Sequence, residues 1–129
     1  MKYIYFAFLV TMLLGCTRAV ASEAIQCFEF AWAHPNDDGL ELTRGQALEL
    51  CNGASNTIEV VQCYARAWAH SSHGGLGLTT GQAVELCNRA TNALEVTQCY
   101  AQAWAHTANG GLGLTAGEAV ELCKSSPAK

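Results

Sequence analysis

A period of 36 residues constrains this chain more than any other feature. Cys27, Cys63 and Cys99 recur at that interval, and so do Cys51, Cys87 and Cys123. Trp32, Trp68 and Trp104 keep the same step, as do His34, His70 and His106. The repeated phrase is C-[FY]-x-x-A-W-A-H, a short loop, then G-L-x-L-T-x-G-[QE]-A-x-E-L-C. A fixed period in this range marks units that are each one supersecondary element and bury a face on their neighbours. It also limits function. A stack of near-copies repeats its surface, whereas catalysis needs unlike groups converging on one point.

Repeat two shows the unit most clearly. Asn56 is placed to cap a helix expected over 57–70, with Glu59 three residues on. Val60, Cys63, Tyr64, Ala67 and Trp68 fall on one apolar stripe. His70 is expected to close that helix, where a partly charged imidazole suits the negative end. A loop over 71–78 follows, with Gly74 and Gly75 placed to end the helix. Thr79 and Gln82 then form a capping box, repeated as Thr43/Gln46 and Thr115/Glu118. The second helix is expected over 80–90, with Ala83, Leu86 and Cys87 on one face. The fold class is therefore all-α, with three tandem 36-residue α-hairpins in a short solenoid or compact six-helix array.

Six repeat cysteines leave the connectivity open by number alone. Helix heights select among the pairings. Cys63 lies seven residues before His70, roughly 10 Å along the axis, and Cys87 lies eight past Thr79, roughly 12 Å. In an antiparallel hairpin those heights match. The rival pairing of Cys51 with Cys63 leaves a mismatch of roughly 7 Å, awkward for a bond whose Cα atoms sit about 5.5 Å apart. The expected bonds are Cys27–Cys51, Cys63–Cys87 and Cys99–Cys123. Short, Ala-rich helices bury little, and small exported domains offset thin cores with disulfides. No C-x-x-C occurs, which argues against redox catalysis.

The 36-residue two-helix unit resembles the tetratricopeptide and Sel1-like class of α-solenoids, some of which are exported and disulfide-stapled. The resemblance concerns architecture. The W-x-x-L-G-x-x-Y pattern is absent, and the cysteine spacings are 24 and 12.

The first 21 residues stand apart from the repeats. Lys2 precedes an apolar run from Tyr3 to Gly15, and Ala19-Val20-Ala21 offers a cleavage site before Ser22. Together these read as a secretory signal peptide. A second reading competes, because Leu13-Leu14-Gly15-Cys16 resembles a bacterial lipobox, with Leu14 less usual at the second position and Cys16 as the lipidated residue. Where repeats two and three begin N-T-I-E and N-A-L-E, repeat one has Val20-Ala21-Ser22-Glu23, so the Asn cap is missing there. That loss favours a free terminus at Ser22. The domain division is 1–21 leader, 22–123 helical domain (22–55, 56–91, 92–123) and 124–129 disordered tail. The expected location is the periplasm or the exterior, or the outer membrane if Cys16 carries lipid.

Charge narrows the partners. The whole chain carries a net −4, and beyond residue 21 five basic side chains face eleven acidic ones with no basic cluster. Nucleic acid and anionic membrane surfaces are poor partners for such a surface.

The repeated His and Trp positions invite functional readings. Equivalent residues two helices apart lie roughly 20 Å apart, whereas zinc ligands sit about 2 Å from the ion. The three repeat histidines are therefore expected to be structural, and only repeat two adds a second, His73. The aromatic pairs Phe28/Trp32, Tyr64/Trp68 and Tyr100/Trp104 are expected to supply the hairpin cores, with an aromatic platform for a sugar or peptide as the alternative. Gly45, Gly81 and Gly117 are expected to permit close approach of the preceding loop, since the capping box already uses the donors an anion would need. Pro35 to Glu41 is the only acidic loop, and it lacks the ligand spacing of a calcium site, so a solvated loop is expected.

The functional expectation is an exported, non-enzymatic helical repeat protein that binds a protein or cell-envelope partner, with no cofactor, metal or catalytic residue assigned. A small-ligand or metal carrier using the Trp and His positions is the first alternative. A secreted toxin or inhibitor is the second.

Overall fold

A computed structural model of the chain describes residues 22–125. The expected leader 1–21 with Cys16, and the tail residues 126–129, lie outside the described residues. Six helices form three hairpins: α1 (Glu23–Trp32) with α2 (Arg44–Cys51), α3 (Thr57–Trp68) with α4 (Thr80–Cys87), and α5 (Ala93–Trp104) with α6 (Ala116–Cys123). There is no strand among the described residues. The first helices α1, α3 and α5 stack in one layer, and α2, α4 and α6 stack in the other.

The caps explain where the helices start. Asn56 and Asn92 accept from the N–H of Glu59 and Glu95. Thr43, Thr79 and Thr115 each complete a capping box with the residue three on. Repeat one recovers its missing cap two residues late. Ser22 accepts from the N–H of Ile25 at 3.3 Å, and α1 starts at Glu23.

Both helix types end earlier than their periodicity suggests. α3 stops at Trp68, not His70, because Ala69 turns to extended backbone and His70 caps a separate short 3-10 turn, Ser71–His73. α4 stops at Cys87, not Ala90. Asn88 leaves the helix, and its side-chain amide donates to the carbonyls of Glu49, Leu50 and Asn52 in the preceding repeat at 2.8, 3.1 and 3.0 Å. α2 and α6 end at the equivalent Cys51 and Cys123 without such bonds, so the endpoint belongs to the repeat and the Asn88 amide uses it to tie two repeats together.

The three disulfides join Cys27 to Cys51, Cys63 to Cys87 and Cys99 to Cys123, with Cα atoms 5.5, 5.5 and 5.7 Å apart. Each spans one hairpin, as the helix heights require. Each closes a 24-residue separation, which constrains the unfolded chain by about 3.5 kcal/mol in the chain-entropy account. The core around them is thin. Its largest fully buried side chains are Leu50, Leu86, Val60, Val84 and Val120, interleaved with Ala31, Ala47, Ala67, Ala83 and Ala119. Tyr64 and Tyr100 are buried between repeats, and burial pushes both phenols above their ordinary range.

The hairpin loops are locked by backbone geometry. Leu76, Gly77 and Leu78 return along the end of α3 and donate to the carbonyls of Arg66, Ala69 and Ala67. The same ladder recurs in the other two hairpins. A Cβ on Gly39, Gly75 or Gly111 would collide with the backbone carbonyl of Ala33, Ala69 or Ala105, so only glycine lets the loop lie this close.

Candidate functional site

The tryptophans are not core. Trp32, Trp68 and Trp104 are 59, 56 and 58 % exposed. The buried rows are Cys27–Ala31 and Cys63–Ala67, one residue back around the helix, and in repeat three Ala103 is buried while Cys99 is partly so. Each tryptophan is the last residue of its helix. The returning loop bonds to the carbonyls of Ala31, Ala67 and Ala103, which leaves the indole outside. The i,i+4 pairing survives in part, since the Phe28 and Trp32 rings stack with centroids 6.0 Å apart. The periodicity of the stripe could not show this, because a helix-terminal residue has no following turn to hold it against the core.

Exposure in three equivalent places builds a surface. α1, α3 and α5 are neighbours in one layer, so the three indoles occupy successive positions along the loop edge. The step is about 8–10 Å, the packing distance of helices. Large exposed aromatic groups in a row are costly in water and mark contact surfaces.

Next to each indole stands a histidine with a defined task. The Nδ1 atoms of His34, His70 and His106 accept from the N–H of Asn36, Ser72 and Ala108 at 3.3, 3.1 and 3.1 Å. These side chains cap the short 3-10 turns of the loops. The imidazole expected to close the first helix instead opens the next turn as a hydrogen-bond acceptor. The His70 and His73 rings lie 6.5 Å apart, edge to face. Among the described residues no group of three or more His, Cys, Asp or Glu is arranged to hold a metal ion.

The acidic loop of repeat one is distinct in backbone as well as charge. Asp38 and Glu41 adopt left-handed conformations, φ 60° and 55°, where repeats two and three place glycines. Glu41 sits 3.9 Å from the His34 Nε2. Gly45, Gly81 and Gly117 serve no close approach, since an added Cβ there meets nothing within 4 Å.

A concavity lies at the opposite end of the helices. This open groove of about 920 Å3 runs past the start of α1 and the ends of α2, α4 and α6. Ile25, Phe28, Leu48 and Val84 form its apolar part, and Glu49, Glu85, Arg89 and Lys124 its charged part. Lys124 bonds to Glu121 and Glu85 at 2.7 and 3.5 Å, and these carboxylates, Glu121 first, hold its ammonium above the ordinary range. The groove contains none of the repeated Trp or His positions.

No family model matches the chain, and neither a curated protein nor a solved structure shows significant similarity to it.

Proposed function

We propose that this chain is an exported, non-enzymatic helical repeat protein that binds a partner protein or cell-envelope component through the edge carrying Trp32, Trp68 and Trp104. The carrying observation is that the three largest side chains of the repeat are more than half exposed at equivalent positions. Their regular step suits an extended partner that offers an apolar group to each repeat. Three disulfides, and no helix among the described residues long and apolar enough to cross a membrane, are compatible with export. On this reading the first 21 residues are a leader cut before Ser22, or before Cys16 in a lipidated form. Intact mass of the native protein distinguishes the two, and retention of Met1 refutes both.

The binding test compares the native chain with a variant carrying W32A, W68A and W104A. Both are used to capture material from the native envelope or medium. The indoles lie outside the core, so the variant is expected to keep its helicity and its disulfides while losing the captured partner. A variant that captures the same partner equally well would place the binding surface elsewhere.

A further inference from the structure

We infer that copies of this chain associate end to end, the α5–α6 face of one copy docking on the α1–α2 face of the next, by the contact that already joins repeat to repeat. The observation is a pair of unmatched half-joints. Within the chain, Leu50 and Leu86, each with a repeat after it, are fully buried. Val84, Val120, Tyr64 and Tyr100, each with a repeat before it, are buried as well. The equivalents at the two ends of the stack are apolar too, but bare. Leu122, which corresponds to Leu50 and Leu86, is 60 % exposed. Leu48, which corresponds to Val84 and Val120, is 56 % exposed. Phe28, in the place of Tyr64 and Tyr100, is only partly buried, and so are Cys99 and Leu114 at the other end.

The polar half of the joint repeats the pattern. Asn88 ties its repeat to the one before through the carbonyls of Glu49, Leu50 and Asn52. Asn52 holds the position of Asn88 in repeat one, where no preceding repeat stands among the described residues. The matching carbonyls at the far end are those of Glu121, Leu122 and Lys124. A second copy placed one repeat beyond α5–α6 would bring Asn52 onto those carbonyls and Leu48 and Phe28 toward Leu122. Terminal repeats of solenoids ordinarily present a polar outer face that blocks such stacking. Both ends here present leucine. The contact is heterologous, so an assembly of any length keeps one face of each kind open. The tryptophan edge is not consumed, and it would continue from copy to copy.

Sedimentation and light scattering on the oxidised chain beginning at Ser22 test this across micromolar to millimolar concentrations. The weight-average mass is expected to rise with concentration to at least twice that of one chain. L48E and L122E each spoil one face, at side chains already exposed, so helicity and disulfides should be unchanged. Each variant alone should remain a single chain. An equimolar mixture should form a pair and stop there, because one intact face of each kind remains. A native chain that stays monomeric throughout would overturn the inference. So would self-association that survives L48E or L122E alone, which means a face pairing with itself, or association lost in W68A, which places the contact on the tryptophan edge.

Discussion

At the residue scale, the loop glycines and their replacements carry opposite costs. A left-handed conformation strains a residue with a Cβ by roughly 1–2 kcal/mol. Glu41 bears that strain where Gly77 and Gly113 do not. Replacing Glu41 with glycine is therefore expected to raise stability by about 1 kcal/mol, after the greater unfolded-state entropy of glycine is set against the relief. Gly75→Ala should act in the other direction. Its Cβ meets the Ala69 carbonyl, a backbone atom that cannot swing away, and overpacking of this kind costs about 1–3 kcal/mol. Urea unfolding of the oxidised chain measures both. A Glu41→Gly variant less stable than the parent would show that the carboxylate contributes more than its strain removes.

Helices in this molecule are started by their neighbours as well as by their own caps. The Glu23 carboxylate accepts from the N–H of Thr57 at 2.7 Å, and Glu59 accepts from the N–H of Ala93 at 2.6 Å. Each carboxylate thus satisfies the first donor of the following repeat and sits on the positive end of that helix. Removing the Glu59 side chain should cost about 1 kcal/mol, the usual loss for a helix cap, and should raise hydrogen exchange at the start of α5 more than elsewhere. Uniform exchange would show that the joint does not depend on this bond. Acid should loosen the Glu23 junction between repeats one and two and the cap of α6. The bonds from Thr57 hold Glu23, and those from Thr115 hold Glu118, below their ordinary value of 4.5. A carboxylate whose folded pKa is depressed stabilises the fold fully above its unfolded pKa, and the stabilisation fades as pH falls through the folded value. Stability should therefore decline below about pH 4.5, and the E23Q variant should show a shallower decline. An equal slope in both would assign the acid sensitivity to other groups.

For the whole molecule, the disulfides decide whether so thin a core can hold. Three bonds at about 3.5 kcal/mol each are comparable to the entire stability of an ordinary domain, about 5–15 kcal/mol. Reduction is expected to unfold the chain at ambient temperature, read as loss of the helical circular-dichroism signal. Because each bond closes one hairpin, cuts near Ser55 and Thr91 should give three separate disulfide-linked units under denaturing, non-reducing conditions. Fragments that stayed covalently joined would contradict the pairing.

Repetition made much of this legible in one dimension. A Thr, a Gly and a Gln or Glu at fixed offsets define a helix start by local hydrogen bonding alone, so the capping boxes could be placed without a structure. Cysteine heights on two antiparallel helices follow from the rise per residue, so the bonds within the hairpins could be placed as well. What depended on packing could not be read in this way. The stripe that contains Cys63, Tyr64 and Trp68 is continuous in sequence, yet Tyr64 is buried between repeats and Trp68 is outside. That difference is set by where the loop returns, a matter of hydrogen bonds between residues distant along the helix. Likewise Leu50, Leu86 and Leu122 share the local sequence Glu-Leu-Cys, yet the first two are buried and the last, with no repeat after it among the described residues, is bare. Local chemistry determined the helices, their caps and their staples; the tertiary structure alone decided which apolar side chains face water, because burial belongs to the neighbour and not to the residue.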